Sequence, residues 1–126
     1  MKLIIAGSRN YNNYNFIKES VQNIMRESYN SGIALQIESI VSGGANGVDK
    51  LGEQFAKEFN IPCIVFPANW SKHGKAAGPI RNKEMAEFAD TLIAFPDMKS
   101  IGTINMITTM KNLNKKVYVV EIKDVK

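Results

Sequence analysis

The sequence predicts an α/β fold: a single doubly wound, Rossmann-like parallel sheet of about five strands with helices on both faces. Short apolar runs, typical of strands that are buried on both sides, alternate strictly with amphipathic helical patterns. Glycine-rich turns separate several strands from the helices that follow them. Right-handed crossovers between successive parallel strands then give the doubly wound arrangement. We expect residues 1–126 to form one domain.

Five apolar runs define the predicted strands. Each ends at a glycine, a proline or a polar turn, which are the usual strand boundaries. The single cysteine of the chain, Cys63, lies in the third run and is expected to be a small buried hydrophobic residue. In chain order the runs are Lys2–Ala6, Glu38–Ser42, Cys63–Phe66, Thr91–Phe95 and Val117–Val120.

Helical patterns fill the segments between the strands. The first helix has apolar residues at helical spacing from Ile17 to Met25, and Gly32 is its predicted stop. The second has apolar residues at three- and four-residue steps from Val48 to Phe59. Pro79 suits the first position of the next helix.

The last predicted helix carries its apolar stripe at Ile104, Ile107, Met110 and Leu113. Met106 and Met110 make this helix rich in methionine, with apolar residues beyond the main stripe. This surplus of apolar residues favours a homo-oligomer, a dimer or higher.

The composition limits the partners and the location. The formal net charge of +4 is modest, and many lysines lie late in the chain, so nucleic acid is not expected as a partner. One cysteine allows no intrachain disulfide, and Met1-Lys2 leads directly into a strand pattern, so we expect a cytoplasmic protein. No apolar stretch approaches the roughly 20 residues that span a bilayer, so no membrane partner is expected.

Three turns of small residues follow predicted strands and lead into helices. Such turns let backbone N–H groups approach an anion, and the carboxyl ends of parallel strands meet at one edge of a sheet. A tight backbone explains one such turn, whereas three at corresponding strand ends favour a site for phosphate or another anion. None contains a GxGxxG motif or a P-loop lysine, so an ordinary dinucleotide or P-loop site is not predicted. The turns are Gly7–Arg9, Ser42–Asp49 and Ser100–Thr103.

Four side chains near these turns suit nucleotide recognition. Arg9 and Arg81 are placed at a strand end and a helix start, where a guanidinium can contact phosphate in a bidentate way. Asp49 is either a helix cap or an acceptor for a ribose hydroxyl or a base. Trp70 begins a segment to Lys75 that is predicted to be a flap, and its indole either stacks on a base or anchors the loop.

No catalytic residue is assigned by spacing, and no metal or cofactor is predicted, because no His/Cys cluster has metal-ligand spacing. The expected partner is a nucleotide-derived small molecule. Its predicted contacts combine the three turns with the side chains beside them. They are Gly7, Ser8, Arg9, Ser42, Gly43, Gly44, Ala45, Asn46, Asp49, Trp70, Arg81, Asn82, Ser100, Gly102 and Thr103.

Taken together, these motifs resemble the SLOG superfamily, and most of all its small stand-alone YspA/YpsA-related branch. The resemblance runs from about residue 3 to about residue 120. It implies a Rossmann-like fold and a nucleotide or ADP-ribose-like ligand, which a phage or mobile-element protein would sense or sequester. The matching segments are Gly7–Arg9, Ser42–Asp49, Pro67–Trp70, Gly74–Asn82 with Met85 and Ala89-Asp90, and Ser100–Thr103.

The same resemblance implies two alternatives. The LOG phosphoribohydrolases cleave nucleoside monophosphates and carry a PGGxGTxxE motif, whereas Smf/DprA is a DNA-processing protein. Arg81 matches an arginine of the LOG enzymes, and Gly102-Thr103 matches their GT pair. Their glutamate is absent, because Ile104, Asn105 and Met106 follow that pair, and an asparagine cannot act as a general base. Ligand binding is therefore favoured over LOG-type hydrolysis.

Overall fold

Five parallel strands form the sheet of the computed structural model, which describes residues 1–29 and 37–122. Their order across the sheet is β3-β2-β1-β4-β5, so the chain reverses direction of winding after β3. The predicted Rossmann-like α/β fold is confirmed. The predicted helix stop at Gly32 lies outside the described residues. The strands are β1 (Lys2–Gly7), β2 (Ser39–Ser42), β3 (Cys63–Val65), β4 (Thr91–Phe95) and β5 (Lys116–Val119).

Helices cover both faces of this sheet. None of those in the described part of the chain is long and apolar enough to cross a membrane. A 3-10 turn at Gly74–Ala76 precedes the fourth helix. The helices are α1 (Tyr14–Tyr29), α2 (Val48–Glu58), α3 (Trp70–His73), α4 (Ala77–Phe88) and α5 (Ile101–Asn112).

The central strand β1 explains why the strand runs are apolar throughout. Successive residues of a strand point to opposite faces, and both faces of β1 are buried. Leu3 and Ile5 pack with residues of α1 and α2, whereas Ile4 packs with residues of α4 and α5, and all three are fully buried. The alternation of strands and helices thus places two helices on each face.

The expectation that Cys63 is buried is wrong. Cys63 lies on β3, which is an edge strand, and all three residues of β3 are exposed. An apolar run predicts a strand but does not state its position in the sheet. Here the edge position leaves Val65 47% exposed beside the end of β2.

The apolar face of α5 is also different from the predicted stripe. Thr103, Met106, Ile107 and Met110 are buried, because their spacing of three and four residues places them on one side of the helix. Ile104 and Leu113, which were expected in the core, are exposed. The two methionines therefore belong to the core of the subunit and give no reason to expect a dimer.

The segment predicted as a flap is helical. The side chain of Asn69 accepts a hydrogen bond of 3.1 Å from the amide of Lys72 and so caps α3. The 3-10 turn then runs directly into α4, which begins at Ala77. Pro79 is consequently the third residue of its helix instead of the first, a position where its missing N–H is still tolerated.

Candidate ligand-binding site

The carboxyl ends of β1, β2 and β4 surround a cavity of about 330 Å³, which we name the central cavity. Its walls come from the three small-residue turns, from the second and third turns of α4 and from the beginning of α5. Most of the residues predicted from the sequence to bind a ligand lie here. They are Gly7, Arg9, Gly43, Ala45, Asp49, Arg81, Asn82, Ser100, Gly102 and Thr103.

A second depression, of about 530 Å³, adjoins the central cavity on the side of β3. It contains the predicted residues Gly44, Asn46 and Trp70, and we name it the Trp70 hollow. The two spaces share part of their walls and are therefore neighbours on one surface of the molecule. The shared residues are Arg9, Gly43, Ala45 and Arg81.

Ser8 and Ser42, which were predicted to contact a ligand, line neither space. Both are buried, and their hydroxyl groups bond within the turns. The hydroxyl of Ser8 donates to Oδ2 of Asp97 at 2.5 Å. The hydroxyl of Ser42 donates to Oε2 of Glu53 at 2.6 Å and accepts from the amide of Gly44 at 3.0 Å. These two serines hold the turns in place.

Arg81 connects the turn after β2 to the start of α5. Its Nη1 donates to the carbonyl oxygen of Gly43 at 2.6 Å, and its Nε donates to Oδ1 of Asn82 at 3.0 Å. The amide of Asn82 in turn donates to the carbonyl oxygen of Gly102 at 3.1 Å and to Oδ1 of Asn105 at 3.0 Å. Nη2 of Arg81 has no hydrogen-bond partner among the described residues, so it is free to bind a ligand.

The start of α5 offers backbone donors to the central cavity. The amides of Gly102 and Thr103 donate to no other group in the part of the chain that the structure describes. Such amides at the beginning of a helix carry the positive end of the helix dipole and favour an anion. The cavity thus combines free amide donors with the guanidinium of Arg81.

Hydrogen bonds of Asp97 link the turn after β4 to the turn after β1. Its carboxylate accepts from the hydroxyls of Ser8 and Ser100 and from the amide of Lys99. The hydrogen bonds from Ser8 and Ser100 lower the pKa of Asp97 below its usual range. Within residues 1–29 and 37–122, no group of three His, Cys, Asp or Glu side chains is placed to hold a metal ion.

Asp49 lies in the first turn of α2 and contacts the glycine-rich loop that precedes this helix. Its side chain is only 7% exposed, and Oδ2 accepts a hydrogen bond of 3.1 Å from the amide of Ala45. Burial raises the pKa of Asp49 to about 6, although the hydrogen bond from Ala45 and the charge of Arg81 act to lower it. This contact is with a loop amide that precedes α2 and not with an amide of the first helical turn, so it braces the loop and does not cap the helix. A role for Asp49 toward a ligand stays a prediction.

The raised pKa of Asp49 predicts an unusual pH dependence of stability. Because the folded state holds this proton more tightly than the unfolded chain, the free energy of unfolding falls as pH rises from about 4 to about 6. We expect Asp49→Asn to remove this fall and to stabilise the protein by about 3 kcal/mol above pH 7, with little effect near pH 4. Urea denaturation at several pH values measures both effects.

Asp97→Asn is the matched control, since the pKa of Asp97 is lowered. The stability that Asp97 contributes is present at neutral pH and is lost as pH falls, so this variant is destabilised at pH 7. Equal responses of the two variants to pH would contradict the burial of Asp49.

Sequence reasoning did not assign several residues that line the two spaces. Asp97 and Lys99 line the central cavity, whereas Lys50 and Val65 line the Trp70 hollow. The position of Asp97, two residues after the end of β4, was a usable signal, because ligands bind beyond the carboxyl ends of strands. The position of Val65 depends on the pairing of β3 with β2, for which the sequence contains no comparable signal.

Sequence comparisons relate the chain to one protein family and to a phage protein. The family model described as YAcAr, the YspA, cpYpsA-related SLOG family, matches residues 1–73. The Gene 61 protein of Mycobacterium phage D29 is 40% identical over 70 residues, which correspond to 51% of this chain and 56% of the phage protein. The match therefore spans little more than half of that relative.

Two solved structures of DNA processing protein A (DprA) share this fold. DprA from Streptococcus pneumoniae superposes with a TM-score of 0.69 at 18% identity, over 94% of this chain and 49% of that protein. DprA from Helicobacter pylori superposes with a TM-score of 0.60 at 21% identity, over 94% of this chain and 64% of that protein. This chain thus spans about half of the first DprA chain and less than two thirds of the second.

The prediction that sets nucleic acid aside as a partner is wrong. The Helicobacter pylori protein, which has this fold, binds single-stranded DNA. The prediction depended on the modest net charge of +4. Net charge describes a whole surface, whereas binding depends on the charges around one cleft.

Proposed function

Because the chain belongs to the YspA, cpYpsA-related SLOG family, we propose that its central cavity binds the phosphate of a nucleotide or of a nucleotide-derived ligand. One observation carries this proposal: the turns after three strands converge with Arg81 on one cavity. A volume of about 330 Å³ is at the small end of the range of ligand pockets and suits a single nucleotide.

The phosphate would lie between Arg81 and the first turn of α5. Nη2 of Arg81 approaches from the side of α4, and the amides of Gly102 and Thr103 approach from α5. Donors from two directions match the several oxygens of a phosphate. Thr103 lines the cavity and adds a hydroxyl group to this set. Binding of this kind serves a sensor or a sequestering protein without any chemical step.

Calorimetric titration with paired compounds tests the proposal. We expect adenosine monophosphate and ADP-ribose to bind, and adenosine, which lacks the phosphate, to bind at least about a hundredfold more weakly. Adenosine binding as tightly as its monophosphate would overturn the phosphate site.

N-glycoside hydrolysis is a second candidate function, because two carboxyl groups with opposite pKa shifts line the same cavity. The pKa of Asp49 is raised to about 6 and that of Asp97 is lowered. Such a pair is suited to separate acid and base roles. Counted from Gly102-Thr103, the position of the LOG glutamate is occupied by Met106, and the preceding Asn105 bonds to Asn82. Release of free base from nucleoside monophosphates, and its loss in Asp49→Asn, would support hydrolysis.

A role in binding DNA is favoured by a different observation. The fold is shared with DprA, and four cations line the two neighbouring spaces: Arg9, Lys50, Arg81 and Lys99. Contacts of this kind with phosphates make affinity fall steeply with salt. Gel shifts on single-stranded DNA at 50 and at about 200 mM salt test this role.

A further inference from the structure

The Trp70 hollow is built differently from the central cavity. Its surface combines one large aromatic side chain and apolar residues with several cations. No acidic side chain is among the described residues that line it. Two carboxylates lie close by: Glu53 is 3.5 Å from the ammonium group of Lys50, and Asp49 accepts a hydrogen bond from the amide of Ala45, which lines the hollow. An ion pair of this kind at the surface is weak and leaves the lysine available.

One side of the Trp70 indole packs against the protein, and the other side is exposed to solvent. A β-carbon built on Gly78 would lie 3.6 Å from Cη2 of Trp70, so the indole rests against the first turn of α4. The side chain is nevertheless 53% exposed. Val65 and Pro67 provide apolar surface within the same hollow. A supported indole with a free surface is a platform on which a nucleobase can stack.

Arg9 and Arg81 line both the Trp70 hollow and the central cavity. A guanidinium at that boundary can contact a phosphate lying between the two spaces. Arg9 is exposed, whereas Arg81 is anchored by its hydrogen bond to Gly43. The boundary is therefore basic on both of its sides.

We infer that the Trp70 hollow is a second nucleotide subsite. It holds a nucleobase against Trp70, while Arg9 and Arg81 contact the phosphate that links this nucleotide to the one in the central cavity. This inference rests on the proposed function of the central cavity. The ligand class is two nucleotides joined through phosphate, present as a free dinucleotide or as adjacent units of a single strand.

Fluorescence gives a direct test, because Trp70 is the only tryptophan of the chain. A 5′-phosphorylated dinucleotide is titrated in parallel with the corresponding mononucleotide, and affinities are measured by calorimetry. We expect the dinucleotide to quench Trp70 emission and to bind about tenfold more tightly. The mononucleotide is expected to bind without quenching.

Variants of Trp70 complete the test. Trp70→Leu should lower dinucleotide affinity about tenfold, to the level of the mononucleotide, and should leave mononucleotide affinity unchanged. Trp70→Phe should retain most of the dinucleotide affinity because a phenyl ring still stacks. Since the side chain is half exposed, both variants should keep the thermal midpoint of the native protein.

The outcomes separate this inference from the function on which it rests. Mononucleotide binding without any preference for the dinucleotide, and without a Trp70 response, would overturn the second subsite alone. Absence of mononucleotide binding, with no dinucleotide binding, would overturn both. A 12-nucleotide single strand that binds much more tightly than the dinucleotide identifies the polymer as the source, whereas equal affinities identify the free dinucleotide.

Discussion

Gly47→Ala is expected to lower the free energy of unfolding by about 3 kcal/mol and to weaken ligand binding. Gly47 has a φ of +77° and a ψ of −130°, a combination that is open almost only to glycine. A β-carbon there would also clash with the carbonyl oxygen of Ser8 and lie 2.6 Å from Cα of Arg9. The turn after β1 must move to relieve this clash, and that turn forms one wall of the central cavity.

Gly74→Ala is a matched control for this prediction. Gly74 has a φ of +56° and a ψ of −133°, but no heavy atom lies within 4 Å of the position of its β-carbon. Urea denaturation of the two variants therefore separates the clash from the backbone strain that both share. If Gly47→Ala were no less stable than Gly74→Ala, the close packing of the first turn against the start of α2 would be contradicted.

The inner strands β1, β2 and β4 were predictable because they are buried. A parallel strand covered on both faces must be apolar at every position, as Leu3, Ile4 and Ile5 are, and such a run is easily recognised. The location of the cavity followed from the same reasoning, since small residues after β1, β2 and β4 meet at one edge. Two independent physical constraints, burial and strand direction, were therefore visible in the sequence.

The order of the strands in the sheet was harder to predict from the sequence. This is why the burial of Cys63 was predicted wrongly. An apolar run of four residues is compatible with a central strand and with an edge strand. The position of β3 beside β2 is decided by long-range packing. The sequence also left open which face of α5 is buried, because Ile104 and Met106 can each form an apolar stripe with Met110.

The hydrogen bonds that link the turns to one another could not be predicted from sequence patterns. Ser8 and Asp97 are separated by 89 residues, and Gly43 and Arg81 by 38. No local periodicity links such pairs. The sequence could therefore place Arg9 at a strand end and Arg81 at a helix start, whereas the hydrogen bond from Arg81 to the carbonyl of Gly43 required coordinates.

Arg81→Ala is expected to reduce affinity for a nucleoside monophosphate by about a hundredfold, because a charge-assisted contact with phosphate is lost. The same change removes the hydrogen bond to Gly43 and should lower the free energy of unfolding by about 1 kcal/mol. Calorimetric titration gives the affinity, and urea denaturation confirms that the variant is folded under the conditions of titration. Arg81→Lys keeps the charge but not the forked geometry, so an intermediate affinity is expected.

Arg26→Ala is the appropriate control, since Arg26 is the one arginine of the three that lines neither the central cavity nor the Trp70 hollow. Arg26 is exposed on α1, where its Nη1 donates to Oδ1 of Asn23 at 3.0 Å. Its replacement changes the net charge by the same amount as Arg81→Ala and should leave nucleotide affinity unchanged. Equal losses of affinity in the two variants would mean that the overall charge attracts the nucleotide. A loss confined to Arg81→Ala requires a specific contact, because long-range attraction between exposed charges is screened beyond about 10 Å at ordinary ionic strength.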